Sequence, residues 1–221
     1  MKLQICNSLK NILPEFSVSA YTFDLLEVND SENLSTEITN AFETLTKEYQ
    51  QIYTIENVVN IDKIKVTRDG YKKLGKDPSH TRPACEALIR RILKNGNIYR
   101  LGNVIDIGNL LSVKLLKSVC VIDKDKLCGD IVIRIGNKED EYYGINRGKI
   151  NVDKIPLYTD ELGPFGNPTS DTLRTSITKD TKSVFIMLIN FNQQNIKEDE
   201  ILMETILNTY LKITNLYKIN I

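Results

Sequence analysis

Between residues 119 and 191 the chain carries five short apolar runs with no helical periodicity between them, and this feature limits its fold more than any other. The runs cover residues 119–122, 131–135, 142–145, 155–158 and 184–191. Each is too short for a stable helix, rich in β-branched and aromatic residues, and separated from the next by turn formers, so each reads as a strand. Residues 16–28 add another, with Val18, Ala20 and Thr22 alternating against Ser17, Ser19 and Tyr21 before an interruption at residues 31–35. Helical spacing appears elsewhere. Over residues 36–52 it aligns Ile38, Phe42, Leu45 and Tyr49 behind Ser35 as N-cap, and over 199–216 it aligns Leu202, Ile206, Tyr210 and Ile213. A third helix is expected over 83–94, where proline opens the first turn and Asn95-Gly96 ends it. Asp69-Gly70 and residues 75–79 read as turns, and residues 103–116 are mixed in character. Strands that are not each followed by a helix argue against a doubly wound sheet and for an α+β fold.

At 221 residues and 41% hydrophobic, the chain can bury a sizeable core without covalent staples. Its four cysteines (Cys6, Cys85, Cys120, Cys128) include no C-x-x-C pair, so they suggest neither a zinc cage nor a disulfide framework and read as reduced thiols. No apolar run reaches the roughly 18 residues of a membrane span, and residues 1–13 lack the plan of a signal peptide, so a cytoplasmic protein is expected. Net charge is zero, yet it is unevenly spread. Residues 1–61 hold 3 basic and 9 acidic side chains, residues 62–100 hold 11 and 4. One face can therefore meet a polyanion while another repels it.

Phosphate loops, dinucleotide fingerprints, G-x-S-x-G elbows and His-Glu-x-x-His helices are absent. His80 is the sole histidine, so any Ser/His or Cys/His machinery has one possible base. More informative is the run Asn103-Val104-Ile105-Asp106-Ile107-Gly108-Asn109-Leu110, followed by Asp123-Lys124-Asp125-Lys126-Leu127-Cys128-Gly129. In order and spacing these stretches resemble the editing domain formed by the third and fourth modules of the β subunit of bacterial phenylalanyl-tRNA synthetase. Arg82-Pro83 through Arg91 is similar to a helix of the free-standing relatives of that domain. The resemblance covers roughly residues 65–192. Residues 1–60 match least and are expected to be an integral N-terminal part of one editing-domain-like unit spanning 1–221.

The resemblance implies layered β-sheets with helices packed outside, no cofactor, and tRNA, in its aminoacylated form, as partner. Its implied activity is trans-acting hydrolysis of an amino acid wrongly esterified to tRNA. An ester of this kind is already activated, so orienting one water and stabilising an oxyanion suffices to cleave it. Two departures from the family pattern bear on that activity. Cys120 stands where the synthetases have a histidine, and their glycine-rich loop is replaced by residues 163–175. That loop places Asp171, Arg174 and Thr175 within five residues, an acid, a cation and a hydroxyl suited to binding and proton transfer. Asp171 and Thr175 are the catalytic candidates. Asn103, Asp106, Asn109, Cys120 and Arg174 are the substrate-binding ones, although the first three equally suit capping and Cys120 a core position. Lys72, Lys73, Lys76, Arg82, Arg90, Arg91 and Lys94 form the candidate tRNA-contacting set. Two other readings stay open: a non-catalytic module that binds tRNA or an aminoacyl group, and a small-molecule ester or amide hydrolase using Asp171.

Overall fold

The computed structural model describes residues 1–26 and 31–221. In chain order its elements are β1 (Leu3–Ile5), α1 (Asn7–Ile12), β2 (Ser17–Leu25), α2 (Glu32–Ile52), α3 (Asp62–Lys73), α4 (Ala84–Asn95), α5 (Asn103–Leu115), β3 (Val119–Asp123) and β4 (Ile131–Ile135). They continue with β5 (Tyr143–Gly144), β6 (Gly148–Lys149), β7 (Pro156–Asp160), β8 (Gly163–Asn167), β9 (Ser170–Asp171), β10 (Ser183–Asn190), α6 (Ile196–Tyr210) and β11 (Ile213–Lys218). One antiparallel sheet has the order β11-β2-β10-β3, and a second has the order β1-β4-β7-β8-β9 with β1 parallel to β4. The fold is α+β and layered, with helices outside the first sheet and the second sheet against its other face.

Strand β10 shows why. Val184, Ile186 and Leu188 enter a core shared with α2, α4, α5 and α6, whereas Phe185, Met187 and Ile189 enter a second core between the sheets. A strand covered on both faces must be apolar at every step, and residues 184–189 are. Each such side chain contributes on the order of 1.5–3 kcal/mol through burial. Strand β2 is covered in the same way, with Tyr21 and Phe23 toward the helices and Val18 and Ala20 toward the second sheet. Its alternation therefore separates two cores and not core from solvent. Val28, the expected end of this strand, lies outside the described residues.

Several local expectations are corrected. Helix α2 starts at Glu32, with Ser31 in place of Ser35 as N-cap, its Oγ accepting from Leu34 N–H at 3.3 Å. Asp69-Gly70 is not a turn but lies inside α3, where a Cβ on Gly70 would come within 2.2 Å of the Phe191 ring. That glycine serves close packing. Residues 103–115 form the helix α5. The helix expected over 199–216 ends at Tyr210, and its last apolar residues become β11 because β2 offers a free edge to Ile213–Lys218.

Candidate active site

Strand β9 is two residues long and pairs with β8, placing Gly166 opposite Asp171. A side chain at Gly166 would put its Cβ 2.8 Å from Asp171 Oδ1 and 2.8 Å from the Tyr158 ring, so glycine is what lets the carboxyl settle there. The backbone of Asp171 accepts from Ile145 N–H at 3.0 Å, and Gly144 bridges to Thr172, so the β5–β6 hairpin flanks the site. From the opposite sheet, β3 brings Cys120, which pairs in register with Met187 of β10. The start of α4 is fastened alongside: Ala84 N–H and Ser118 Oγ both donate to Pro168 O, at 2.8 and 2.9 Å.

These elements line a small, partly open pocket of about 30 Å³, with Ala84, Ser118, Cys120, Tyr158, Asn167 and Asp171 among its walls. Such a space admits one water molecule. Burial lifts the Asp171 carboxyl to a pKa of about 7, against hydrogen bonds from the Cys120 thiol and Val121 N–H that favour the charged form. The residue as a whole is half-buried. Burial also holds the Cys120 thiol well above its usual range, with the Asp171 charge adding to the effect, so Cys120 is a neutral donor and not a thiolate nucleophile. A carboxyl that ionises near neutrality beside room for one water has the properties of a general base.

The other residues singled out from the sequence are distributed as follows. Arg174 forms a two-pronged pair with the buried carboxyl of Asp160, at 2.8 and 3.0 Å, and also donates to Gly163 O. Thr175 is fully buried, 3.5 Å from the Thr172 hydroxyl. Asp106 accepts from Leu101 N–H and Gly102 N–H at the start of α5 and pairs with Arg100 at 2.7 Å. Asn103 accepts from Arg100 at 3.2 Å and lines a separate cavity with Leu101, Val104 and residues 177–182. Asn109 is half-buried farther along α5. Asp171 and Cys120 are thus brought together, while Arg174, Asn103 and Asp106 take partners elsewhere.

Among the candidate phosphate contacts, Glu86 is wholly buried and gathers Arg68 (2.8 Å), Arg90 (2.8 Å) and Arg82 (3.3 Å). Lys76 donates to Asn151 O and Asp153 O, Lys72 pairs with Asp69, and Arg91 lies over the Tyr99 ring at 5.5 Å. Lys73 and Lys94 are exposed, with no ion-pair partner among the described residues. His80 is exposed, 3.6 Å from Asp77. Tyr158 and Asn167 line the Asp171 cavity although no sequence pattern singled them out. Only the turn-forming run Asn167-Pro168-Thr169-Ser170 hinted at the second.

All four cysteines are free. Among the described residues no helix is long and apolar enough to cross a membrane, and no group of His, Cys, Asp or Glu is arranged to hold a metal ion. A family model described as the B3/4 domain matches residues 66–207, more than half of the chain. The chain belongs to the B3/4 domain family. A solved N-terminal fragment of the phenylalanyl-tRNA synthetase β-subunit from Pyrococcus horikoshii is similar to it, with a TM-score of 0.51 and 12% identity. That alignment covers 100% of this B3/4 chain and 54% of the fragment, so the chain spans about half the fragment's length. At this identity the likeness is one of fold. No curated protein matches the chain in a sequence comparison.

Proposed function

We propose that this B3/4 protein binds tRNA in the cytoplasm and deacylates mischarged aminoacyl-tRNA in trans, as one editing-domain-like unit. The observation that carries the proposal is the Asp171 carboxyl, held near a pKa of 7 against a cavity of one-water size. In the reaction the ionised carboxyl takes a proton from water as the water oxygen bonds to the ester carbonyl carbon. Collapse of the tetrahedral intermediate breaks the bond to the ribose oxygen, and the proton on Asp171 passes to that leaving oxygen. Free amino acid and tRNA result, and Asp171 is again a carboxylate. Family membership and the phenylalanyl-tRNA synthetase fold support tRNA as the carrier of the ester.

A second reading, a binding module without hydrolysis, is favoured by two observations. The space of about 30 Å³ takes a water but not an amino-acid side chain, and the Arg174 guanidinium is committed to Asp160. Deacylation of a panel of correctly and incorrectly charged tRNAs by the wild type and by Asp171→Asn separates the two. The hydrolase reading expects a selective subset to be cleaved and the variant to lose that activity. Charged tRNAs that are bound and left intact would sink it in favour of the binding module.

A further inference from the structure

Two side-chain atoms beside Asp171 stand out in their bonding. Tyr158 Oη and Asn167 Nδ2 are buried without a hydrogen-bond partner, and they are the two such atoms among the described residues. Both belong to residues lining the Asp171 cavity. Burying a donor and leaving it unbonded is costly, so two of them on residues that line one small pocket point to a ligand. The Asn167 amide is oriented by its own turn. Oδ1 accepts from Thr169 N–H at 2.9 Å and from Ser170 N–H at 3.2 Å, which leaves the NH₂ end facing the other way. That end lies close enough to the Tyr142 hydroxyl to favour its ionised form, but without hydrogen-bond geometry to it. The Tyr142 hydroxyl is itself engaged with Ser170 O. Burial holds the Tyr158 hydroxyl well above its usual range, so it stays protonated and can donate.

We propose that Tyr158 and Asn167 form a receptor for a single neutral oxygen atom, a water molecule in the free protein, held between their two donors and the Asp171 carboxyl. The donor and acceptor chemistry selects this ligand. A cation would be repelled by two donors, an anion by the Asp171 carboxylate, and an apolar group would leave both donors unbonded. A water accepts from Tyr158 and Asn167 and donates to Asp171, and the cavity of about 30 Å³ accommodates one. This inference does not depend on hydrolysis. If the proposed function holds, the same water lies where the nucleophile is needed.

The test is the thermal melt of Tyr158→Phe in the free protein, with a crystal structure of the wild type at a resolution that orders water. With a water held, deleting the hydroxyl strips one of its bonds, and the melting temperature falls by about 2–4 °C. The crystal structure then shows an oxygen within about 3.2 Å of both Tyr158 Oη and Asn167 Nδ2. A melting temperature that is unchanged or raised, or a dry cavity, overturns the proposal. Neither measurement uses tRNA, so a water site with no deacylation, or deacylation with a dry cavity, can each be told apart.

Discussion

The Asp171 carboxyl weakens the fold as it ionises. Its carboxyl has a pKa of about 7 when folded, against roughly 3.9 when unfolded, so between about pH 4 and pH 7 the folded state holds more protons. Stability therefore falls as pH rises across that window and is level above it. Asp171→Asn removes the penalty while keeping the shape of the side chain. The variant is expected to melt higher than the wild type at pH 8 and to be indistinguishable from it at pH 4, in melts run at both values. The deacylation rate of the wild type is expected to climb through pH 7 as the carboxylate forms, and Asp171→Asn to lose it by at least about 100-fold. Gly166→Ala tests the geometry. Its Cβ would sit 2.8 Å from both the carboxyl and the Tyr158 ring, so deacylation should be lost along with stability of about 1–3 kcal/mol in a urea titration. At this scale the sequence singles out Asp171 because an acid, a cation and a hydroxyl crowd one loop, although Arg174 turns to Asp160 and Thr175 to Thr172. Its surroundings were not legible, since a tyrosine in an apolar strand looks the same whether its hydroxyl meets a partner or a cavity.

Helix α4 is the element where sequence and structure agree best, since its expected and observed limits differ by one residue. Proline at the start and Asn95-Gly96 at the end are local signals, and local signals survive whatever packs around them. The end of α6 had no such signal. Residues 211–216 keep helical spacing, but the vacant edge of β2, formed by residues nearly 190 positions away, draws Ile213–Lys218 into a strand. The Pro83 helix also carries an arginine set whose spacing suggests a phosphate track, yet Glu86 binds three guanidiniums inward. Glu86→Ala is expected to cost about 3 kcal/mol by urea unfolding, because it leaves Arg68 and Arg90 without their partner in a largely buried setting. A purely solvated helix face would show well under 1 kcal/mol.

Over the whole molecule, residues 62–100 keep most of their positive excess, because Arg68, Arg82 and Arg90 share the one charge of Glu86 and, among the described residues, only Lys63 and Arg100 pair with acids outside the segment. Lys73 and Lys94 keep their charge free at the surface, so in tRNA binding measured against salt each should account for a slope change of about 0.7–0.9 when replaced by alanine. The α+β class was legible from the strand runs alone, because an unbroken apolar strand and a helix face leave different periods. The order of strands was not, since β1 beside β4 and β10 between β2 and β3 join distant segments that no local pattern links. Strand β10 has neighbours on both edges and a core on both faces. Asp171, by contrast, sits on a two-residue strand at a sheet margin, braced by a short hairpin. Amide protons of β10 should accordingly exchange with solvent only when the whole chain unfolds, while those of β5, β6 and β9 exchange through small local openings. The Asp171 carboxyl can then be uncovered many times in the life of a molecule whose centre never comes apart.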